Sequence, residues 1–179
     1  MSEARLSHVD ESGAARMVDV SGKDVSTRTA TAAGCVRTTE EVVGLLRGGG
    51  LKKGDAIATA RIAGIMGAKR TSELIPMCHP IALHNVAVEL ALGKNAVEIT
   101  ATTRTADRTG VEMEALTAVA VAGLTLIDMI KAVDPAARID DVRVLRKEGG
   151  KTGLWQRPDT DAAPTGGDGP DTDAPEAAP

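Results

Sequence analysis

Aromatic side chains are almost absent from this 179-residue chain, which has one Trp and neither Phe nor Tyr. Its core must therefore be aliphatic, since Val, Leu and Ile are the remaining large apolar side chains. The shortage also argues against single-stranded nucleic-acid binding, in which bases stack on aromatic rings. Its two cysteines, Cys35 and Cys78, match no zinc-ligand spacing. We expect Cys35 to be a core residue.

Long apolar runs and a strong net charge are also missing. No stretch approaches the ~18 unbroken apolar residues of a membrane span, and the amino terminus lacks the apolar segment of a signal peptide. The net charge is −4, but the last 21 residues hold six of the 25 acidic residues and no basic one. The remainder is mildly basic, which allows an anion pocket but is too little for a nucleic-acid binder. We expect a cytoplasmic protein that contacts neither nucleic acid nor membrane.

One long helix is predicted between Gly110 and Pro135. Thr109 followed by Glu112 is typical of a capping box, and the residue before a proline is disfavoured in helical geometry. Apolar residues recur at helical spacing on one face, and the opposite face is also apolar apart from a few polar groups. A helix that is apolar all round is usually buried on both sides. In so short a chain, the second covering layer could be another subunit.

Asp128 and Lys131 on this helix allow two interpretations. They could form an ordinary surface pair at i,i+3, worth a few tenths of a kcal/mol. Alternatively, because Asp128 is flanked by apolar residues, it could be a buried carboxylate that requires a partner. Glu114 lies 14 residues away, or roughly 21 Å along the helix, so one small substrate is not expected to touch both ends. The two ends belong either to separate sites or to one site shared between subunits.

Alternating apolar and polar residues predict four strands. They cover residues 27–37, 85–92, 96–105 and 139–147, with the second and third forming a hairpin. Two helices follow the first strand: one opens at Thr38 and ends near Arg47, and Asp55 caps the other, at residues 56–70. This order predicts an α+β fold, a ferredoxin-like βαββαβ sandwich with an antiparallel sheet and an extra helix. The sheet face without helices again indicates an oligomer.

The composition divides the chain into three parts. Residues 1–15 are polar and small, and we expect a flexible terminus there. Residues 16–157 would form the folded domain. Residues 158–179 are rich in Asp, Ala, Pro and Gly and cannot bury enough apolar surface to fold, so a disordered acidic tail is expected.

Several residues could carry chemistry. The glycine-rich segment Lys147–Gly153 suits phosphate binding, although it could equally be a solvated end of the last strand. Two prolines stiffen the loop Leu74–Pro80, which presents Cys78 and His79. Adjacent residues do not face each other, so a Cys–His nucleophile pair is not expected. His79 could contact a ligand, carry a proton or simply stabilise the loop.

Five segments together resemble one family, the cyclic pyranopterin monophosphate synthases, or MoaC proteins, of molybdenum cofactor biosynthesis. The resemblance extends from about Met17, where Met-Val-Asp-Val-Ser looks like the family's opening, to Gly153. The segments are Lys53–Ile65, Leu74–Pro80, Gly110–Ala118, Asp128–Val133 and Lys147–Gly153.

The resemblance implies a phosphorus–oxygen lyase. It would convert the 3′,8-cyclised dihydroguanosine triphosphate to cyclic pyranopterin monophosphate and release pyrophosphate. A radical enzyme that cyclises GTP would supply the substrate. The implied fold is ferredoxin-like, assembled as a hexamer (a trimer of dimers) with sites at dimer interfaces. The alternative is a non-catalytic ferredoxin-like oligomer that binds a small anion.

The resemblance also implies roles for individual residues. Asp128 and Lys131 match the catalytic acid/base pair, and Lys53 matches a further essential lysine. The substrate-binding candidates are Met77, Cys78, His79, Met113, Glu114 and the neighbouring Glu112, with Arg28, Lys147 and Lys151 near the triphosphate. No ligand cluster requires a metal, although Mg²⁺ could arrive with the triphosphate.

Overall fold

The computed structural model describes Val9 and residues 12–48, 55–151 and 153–158. Five strands and four helices are defined within these residues. In chain order they are β1 (Ser26–Arg37), α1 (Glu40–Arg47), α2 (Ala56–Ala68), α3 (Thr71–Leu74), β2 (Asn85–Leu92), β3 (Ala96–Asp107), α4 (Glu112–Ile130), β4 (Arg138–Glu148) and β5 (Trp155–Gln156).

The strands form one sheet in the order β2-β3-β1-β4-β5, and every neighbouring pair is antiparallel. The first four strands therefore have the arrangement of the split βαβ motif, which confirms the predicted ferredoxin-like α+β fold. The two-residue strand β5 and the single-turn helix α3 were not predicted. Both are too short to give a periodic sequence signal.

The core lies between one face of the sheet and the helices α2 and α4. α4 packs on β1, β3 and β4, while α2 packs on α4 and β2. The largest fully buried side chains are aliphatic, led by Ile99, Leu126 and Ile130, as the shortage of aromatic residues predicted. By length and composition alone α4 could cross a membrane, but it is the central core helix of this fold.

Small residues allow α2 and α4 to approach each other closely. A Cβ atom added at Gly67 would collide with Val121, and one at Gly64 would collide with the carbonyl oxygen of Ala118. Leu124, one turn beyond Val121, is 61% exposed. Helix α2 therefore covers the amino-terminal half of α4 on the side that does not pack on the sheet. Beyond that half, this side of α4 is exposed.

Several predicted helix ends were wrong. α4 begins at Glu112 after Val111, without a side-chain cap, so Thr109 and Glu112 do not form a capping box. Thr39, rather than Thr38, caps α1 by accepting a hydrogen bond from the Val42 amide. Thr38 instead donates to the Asp134 carboxylate, a tertiary contact that local sequence could not reveal.

Other features were predicted closely. Asp55 caps α2 through the amide of Ala58. Cys35 is buried in β1. α2 ends at Ala68, two residues before the predicted end, while β3 and β4 extend slightly beyond theirs. Strand ends vary because pairing partners, rather than alternation alone, decide where a strand stops.

Candidate active site

A cavity of about 400 Å³ lies beside the amino terminus of α4. Three separate segments of the chain form its walls: an amino-terminal segment before β1, the stiff loop before β2, and the turn that leads into α4. The lining residues are Val18, Val20, Lys23, Met77, Cys78, His79, Thr109, Gly110, Glu112, Met113 and Glu114.

Glu114 is the most deeply placed acid of this cavity, with only 4% of its surface exposed. Burial raises the pKa of its carboxyl to about 7, and the negative charge of Glu112 adds to the increase, while a backbone hydrogen bond opposes it. A carboxyl with that pKa exchanges protons near neutral pH. It can therefore serve as either an acid or a base.

The stiff loop contributes a thiol and an imidazole. Burial raises the pKa of the Cys78 thiol, and the charge of Glu114 raises it further, so the thiolate is disfavoured. His79 is held by its Nε2 atom, which lies 2.8 Å from the carbonyl oxygen of Val18. Because a carbonyl oxygen can only accept, Nε2 carries the proton in this contact. The imidazole of His79 therefore has a main-chain partner in the segment before β1.

A smaller basic pocket of about 90 Å³ lies beside the cavity. Arg28, Lys147 and Lys151 supply its positive charge. The Lys147 ammonium is 3.2 Å from a Glu112 carboxylate oxygen, and Arg28 donates from Nε to the carbonyl oxygen of Asp107. Such a concentration of cations suits phosphate oxygens.

Two successive glycines follow β4 at the basic pocket, and the first of them, Gly149, lines it. Gly149 and Gly150 both have positive φ, a conformation that residues with a side chain rarely adopt. A Cβ atom at Gly149 would collide with the carbonyl oxygen of Thr27, and one at Gly150 would collide with the Arg28 guanidinium. Glycine is therefore required at position 149, where the collision is with main chain, and favoured by its positive φ at position 150, where the collision is with the end of a flexible side chain.

The cavity and the basic pocket share the lining residues Gly110 and Glu112, so they are adjacent, and we call the two together the cleft. Nine of the twelve predicted site residues line this cleft. They are Arg28, Met77, Cys78, His79, Glu112, Met113, Glu114, Lys147 and Lys151. Their roles toward a substrate remain predictions.

Two predicted residues that the structure describes, Asp128 and Lys131, do not line the cleft. Asp128 and Lys131 lie near the carboxyl end of α4, 2.7 Å apart, with side chains 59% and 58% exposed. In a single chain they form the surface i,i+3 pair that was one of the two interpretations. Lys53 lies outside the described residues.

Val18, Val20 and Lys23 form one wall of the cavity, although no role was predicted for them. The only signal was the short alternation Val18-Asp19-Val20, which places two apolar side chains on one side of an extended segment. Nothing in the local sequence indicated that this side would face the loop around His79.

An α+β sandwich in which a cavity with an acid and an imidazole lies beside a basic pocket is suited to bind and transform a small anionic molecule. Comparison with known proteins makes the assignment specific. The model of the MoaC family matches residues 17–150. This chain belongs to the MoaC family.

Individual relatives agree with the family match. A protein from Streptomyces coelicolor named cyclic pyranopterin monophosphate synthase is 67% identical over 153 residues, which are 86% of this chain and 90% of the relative. A Mycobacterium tuberculosis protein named cyclic pyranopterin monophosphate synthase 2 is 65% identical over 152 residues, 85% of this chain and 91% of the relative. A Peptoclostridium acidaminophilum synthase is 50% identical, with coverages of 85% and 97%.

Proposed function

We propose that this protein is a cyclic pyranopterin monophosphate synthase of molybdenum cofactor biosynthesis. It converts 3′,8-cyclised dihydroguanosine triphosphate to cyclic pyranopterin monophosphate and pyrophosphate. The observation that carries this proposal is the adjacency of the two pockets, which places Glu114 and His79 in a cavity beside a basic pocket of Arg28, Lys147 and Lys151. The substrate requires both parts, because a base is rearranged at one end and pyrophosphate leaves at the other.

The basic pocket is proposed to hold the triphosphate. The cyclic phosphate forms when a sugar hydroxyl attacks the α-phosphorus, and the bond to the departing pyrophosphate breaks. The hydroxyl proton passes to a base, while Arg28, Lys147 and Lys151 stabilise the charge that develops on the phosphate oxygens. Lys147, which pairs with Glu112 in the described structure, would exchange that carboxylate for the substrate phosphate.

The cavity is proposed to hold the purine-derived ring system. Opening the imidazole part of the ring and closing the pterin ring both require proton transfers. Glu114 is suited to contact the base because its carboxyl is buried and has a pKa of about 7. Met77, Cys78, His79 and Met113 would complete the walls around the ring.

Asp128 and Lys131 are proposed to be the catalytic acid/base pair, contributed to the cleft by a second subunit. Their distance from Glu114 along α4, roughly 21 Å, prevents both ends from reaching one small substrate within a chain. Exposed apolar side chains on α2 and α4 also favour assembly: Ile62 is 59%, Met66 49% and Leu124 61% exposed. The expected assembly is a hexamer, a trimer of dimers, in the cytoplasm.

The proposal includes two components outside the described protein. The substrate would come from a radical enzyme that cyclises GTP. Any Mg²⁺ is proposed to enter with the triphosphate, since this ion is commonly held through substrate phosphates. Lys53 is proposed as a further catalytic lysine, on the family resemblance alone.

Turnover of the cyclised triphosphate by the purified protein tests the proposal. We expect release of pyrophosphate together with the cyclic phosphate product, and neither from GTP in the absence of the radical enzyme. Saturable binding of the cyclised triphosphate without turnover would favour the alternative, a non-catalytic oligomer that binds a small anion.

A further inference from the structure

The amino-terminal wall of the cavity is a segment that we call the N-terminal strap, residues 17–23. It precedes β1 and has neither helical nor strand structure. Val18 and Val20 are half-buried in it, Lys23 is exposed, and all three line the cavity. The strap is therefore part of the site even though the fold does not depend on it for a strand or helix.

Two side chains from elsewhere in the fold hold the strap. His79 donates from Nε2 to the carbonyl oxygen of Val18 at 2.8 Å. Arg108 donates from Nε to the carbonyl oxygen of Lys23 at 2.9 Å. Both bonds reach main-chain atoms, so they fix the course of the strap whatever side chains it carries.

A turn inside the strap fixes the remaining residues. The Asp19 carboxylate accepts a hydrogen bond from the Ser21 amide at 2.8 Å, and the Lys23 amide donates to the carbonyl oxygen of Val20 at 3.1 Å. Asp19 and Ser21 make the side-chain-to-backbone contact that is common in turns. The position of Lys23 is therefore set both by this turn and by Arg108.

The charged residues that line the cavity indicate a function for Lys23. Among the described residues that line the 400 Å³ cavity, Lys23 is the only lysine or arginine. Its ammonium forms no ion pair with any described residue, whereas Lys147 is already paired with Glu112 at 3.2 Å. A substrate anion can therefore approach Lys23 without displacing the carboxylate of any residue that the structure describes.

We propose that Lys23 is a further substrate-binding residue that contacts the phosphate chain where the cavity meets the basic pocket. Arg108 holds the main chain of Lys23 and stands two residues before Gly110, which lines both pockets. An ammonium is a compact, strongly hydrated charge with donors only, so it suits phosphate oxygens better than an apolar ring system. His79 and Arg108 are then positioning residues that hold the strap. This inference rests on the proposed function of the cleft.

Binding of inorganic triphosphate to the full-length oligomer tests the role of Lys23. Lys23→Met should weaken this binding about tenfold, a typical effect of one charge-assisted contact, and Lys23→Arg should retain most of it. Uncharged guanosine should bind both variants as it binds the unaltered protein. Lys94→Met is the matched control, since Lys94 lies in the hairpin turn and pairs with the exposed Glu40.

Unchanged triphosphate binding by Lys23→Met would overturn the proposal. A loss of guanosine binding alone would also overturn the proposal, because Lys23 would then contact the base. Turnover by the unaltered protein is measured on the same preparation. Failure of that turnover would refute the proposed function, whereas intact turnover with an unaffected Lys23→Met variant would refute only this inference.

The positioning roles of His79 and Arg108 require a measurement besides triphosphate binding. His79→Ala and Arg108→Ala should increase amide hydrogen exchange in residues 17–23 and weaken triphosphate binding. Little further loss should follow when Lys23→Met is added, because the residues act through one contact. His79→Gln should restore much of the binding, since its amide N–H can donate to the carbonyl oxygen of Val18. Weaker binding with unchanged exchange would mean that His79 acts directly on substrate and would overturn its positioning role.

Discussion

The two ends of α4 differ sharply although both carry an acidic residue that the resemblance assigned to the site. Near the amino end, Glu114 is 4% exposed, and burial raises its carboxyl pKa to about 7. Near the carboxyl end, the Asp128 side chain is 59% exposed and pairs with Lys131 at 2.7 Å. One chain thus encloses the first acid with its own loop and strap, and leaves the second on its surface.

This difference indicates how much of an active site a single chain can build. The amino end meets the segment before β1 and the loop before β2, because both of these strands begin where β3 ends. The carboxyl end meets solvent, beside the exposed Leu124. If both acids serve one reaction, a second copy of the chain must bring its carboxyl end to the first copy's cleft.

The largest expected effect comes from removing the exposed pair. Asp128→Ala and Lys131→Ala should each reduce turnover by orders of magnitude while the oligomer stays intact. The loss of an exposed pair should cost at most about 1 kcal/mol of stability. Turnover assays, denaturation and analytical ultracentrifugation measure the three quantities. Glu40→Ala, which removes the exposed partner of Lys94, is the control and should leave turnover unchanged.

Mixing variants tests whether the two ends of α4 meet across an interface. Glu114→Ala and Asp128→Ala proteins, each inactive alone, should regain part of their activity after subunit exchange. Recovery is expected because some interfaces then combine an intact amino end with an intact carboxyl end. If mass spectrometry verifies exchange and activity does not return, the shared-site model is wrong.

The next largest effect is expected in the pH dependence of stability, through Glu114 at the amino end of α4. Because the Glu114 pKa is raised from 4.5 to about 7, the folded state binds more protons than the unfolded state between these values. Stability should therefore fall as pH rises through this window, by about 3 kcal/mol in total. Glu114→Gln should abolish this contribution to the dependence of the unfolding free energy on pH. Urea denaturation from pH 4 to 8 measures it, with the exposed Glu89→Gln as control.

A smaller effect is expected at Cys78. The thiol has a raised pKa, and the proposed reaction requires no covalent sulfur intermediate. Cys78→Ser should therefore retain measurable turnover, whereas Cys78→Trp should block the cavity that this residue lines. Complete inactivity of the serine variant, with normal folding by circular dichroism, would contradict this expectation.

The smallest effect is expected from removing residues 159–179. This deletion takes away six acidic residues and no predicted apolar face. Turnover and thermal stability should stay close to those of the full chain. A large change in either would mean that the segment docks on the folded domain.

Local sequence was sufficient for much of the fold. Alternation located all four main strands, and the bounds of β2 were predicted without error, because a half-buried strand must alternate. The Asp55 cap followed from its position before a helical run. The family was also recognisable, since five motifs in the right order are a specific signal.

Tertiary structure alone decided how the cleft is built. The bond from His79 to Val18 spans 61 positions, and the bond from Arg108 to Lys23 spans 85, so no local pattern could predict either. The raised pKa of Glu114 likewise depends on burial, which exists only in the folded chain. Sequence determined which residues are present and which strands and helices they form. Only folding decided which of them meet, because desolvation and long-range contacts arise when segments far apart in the chain pack together.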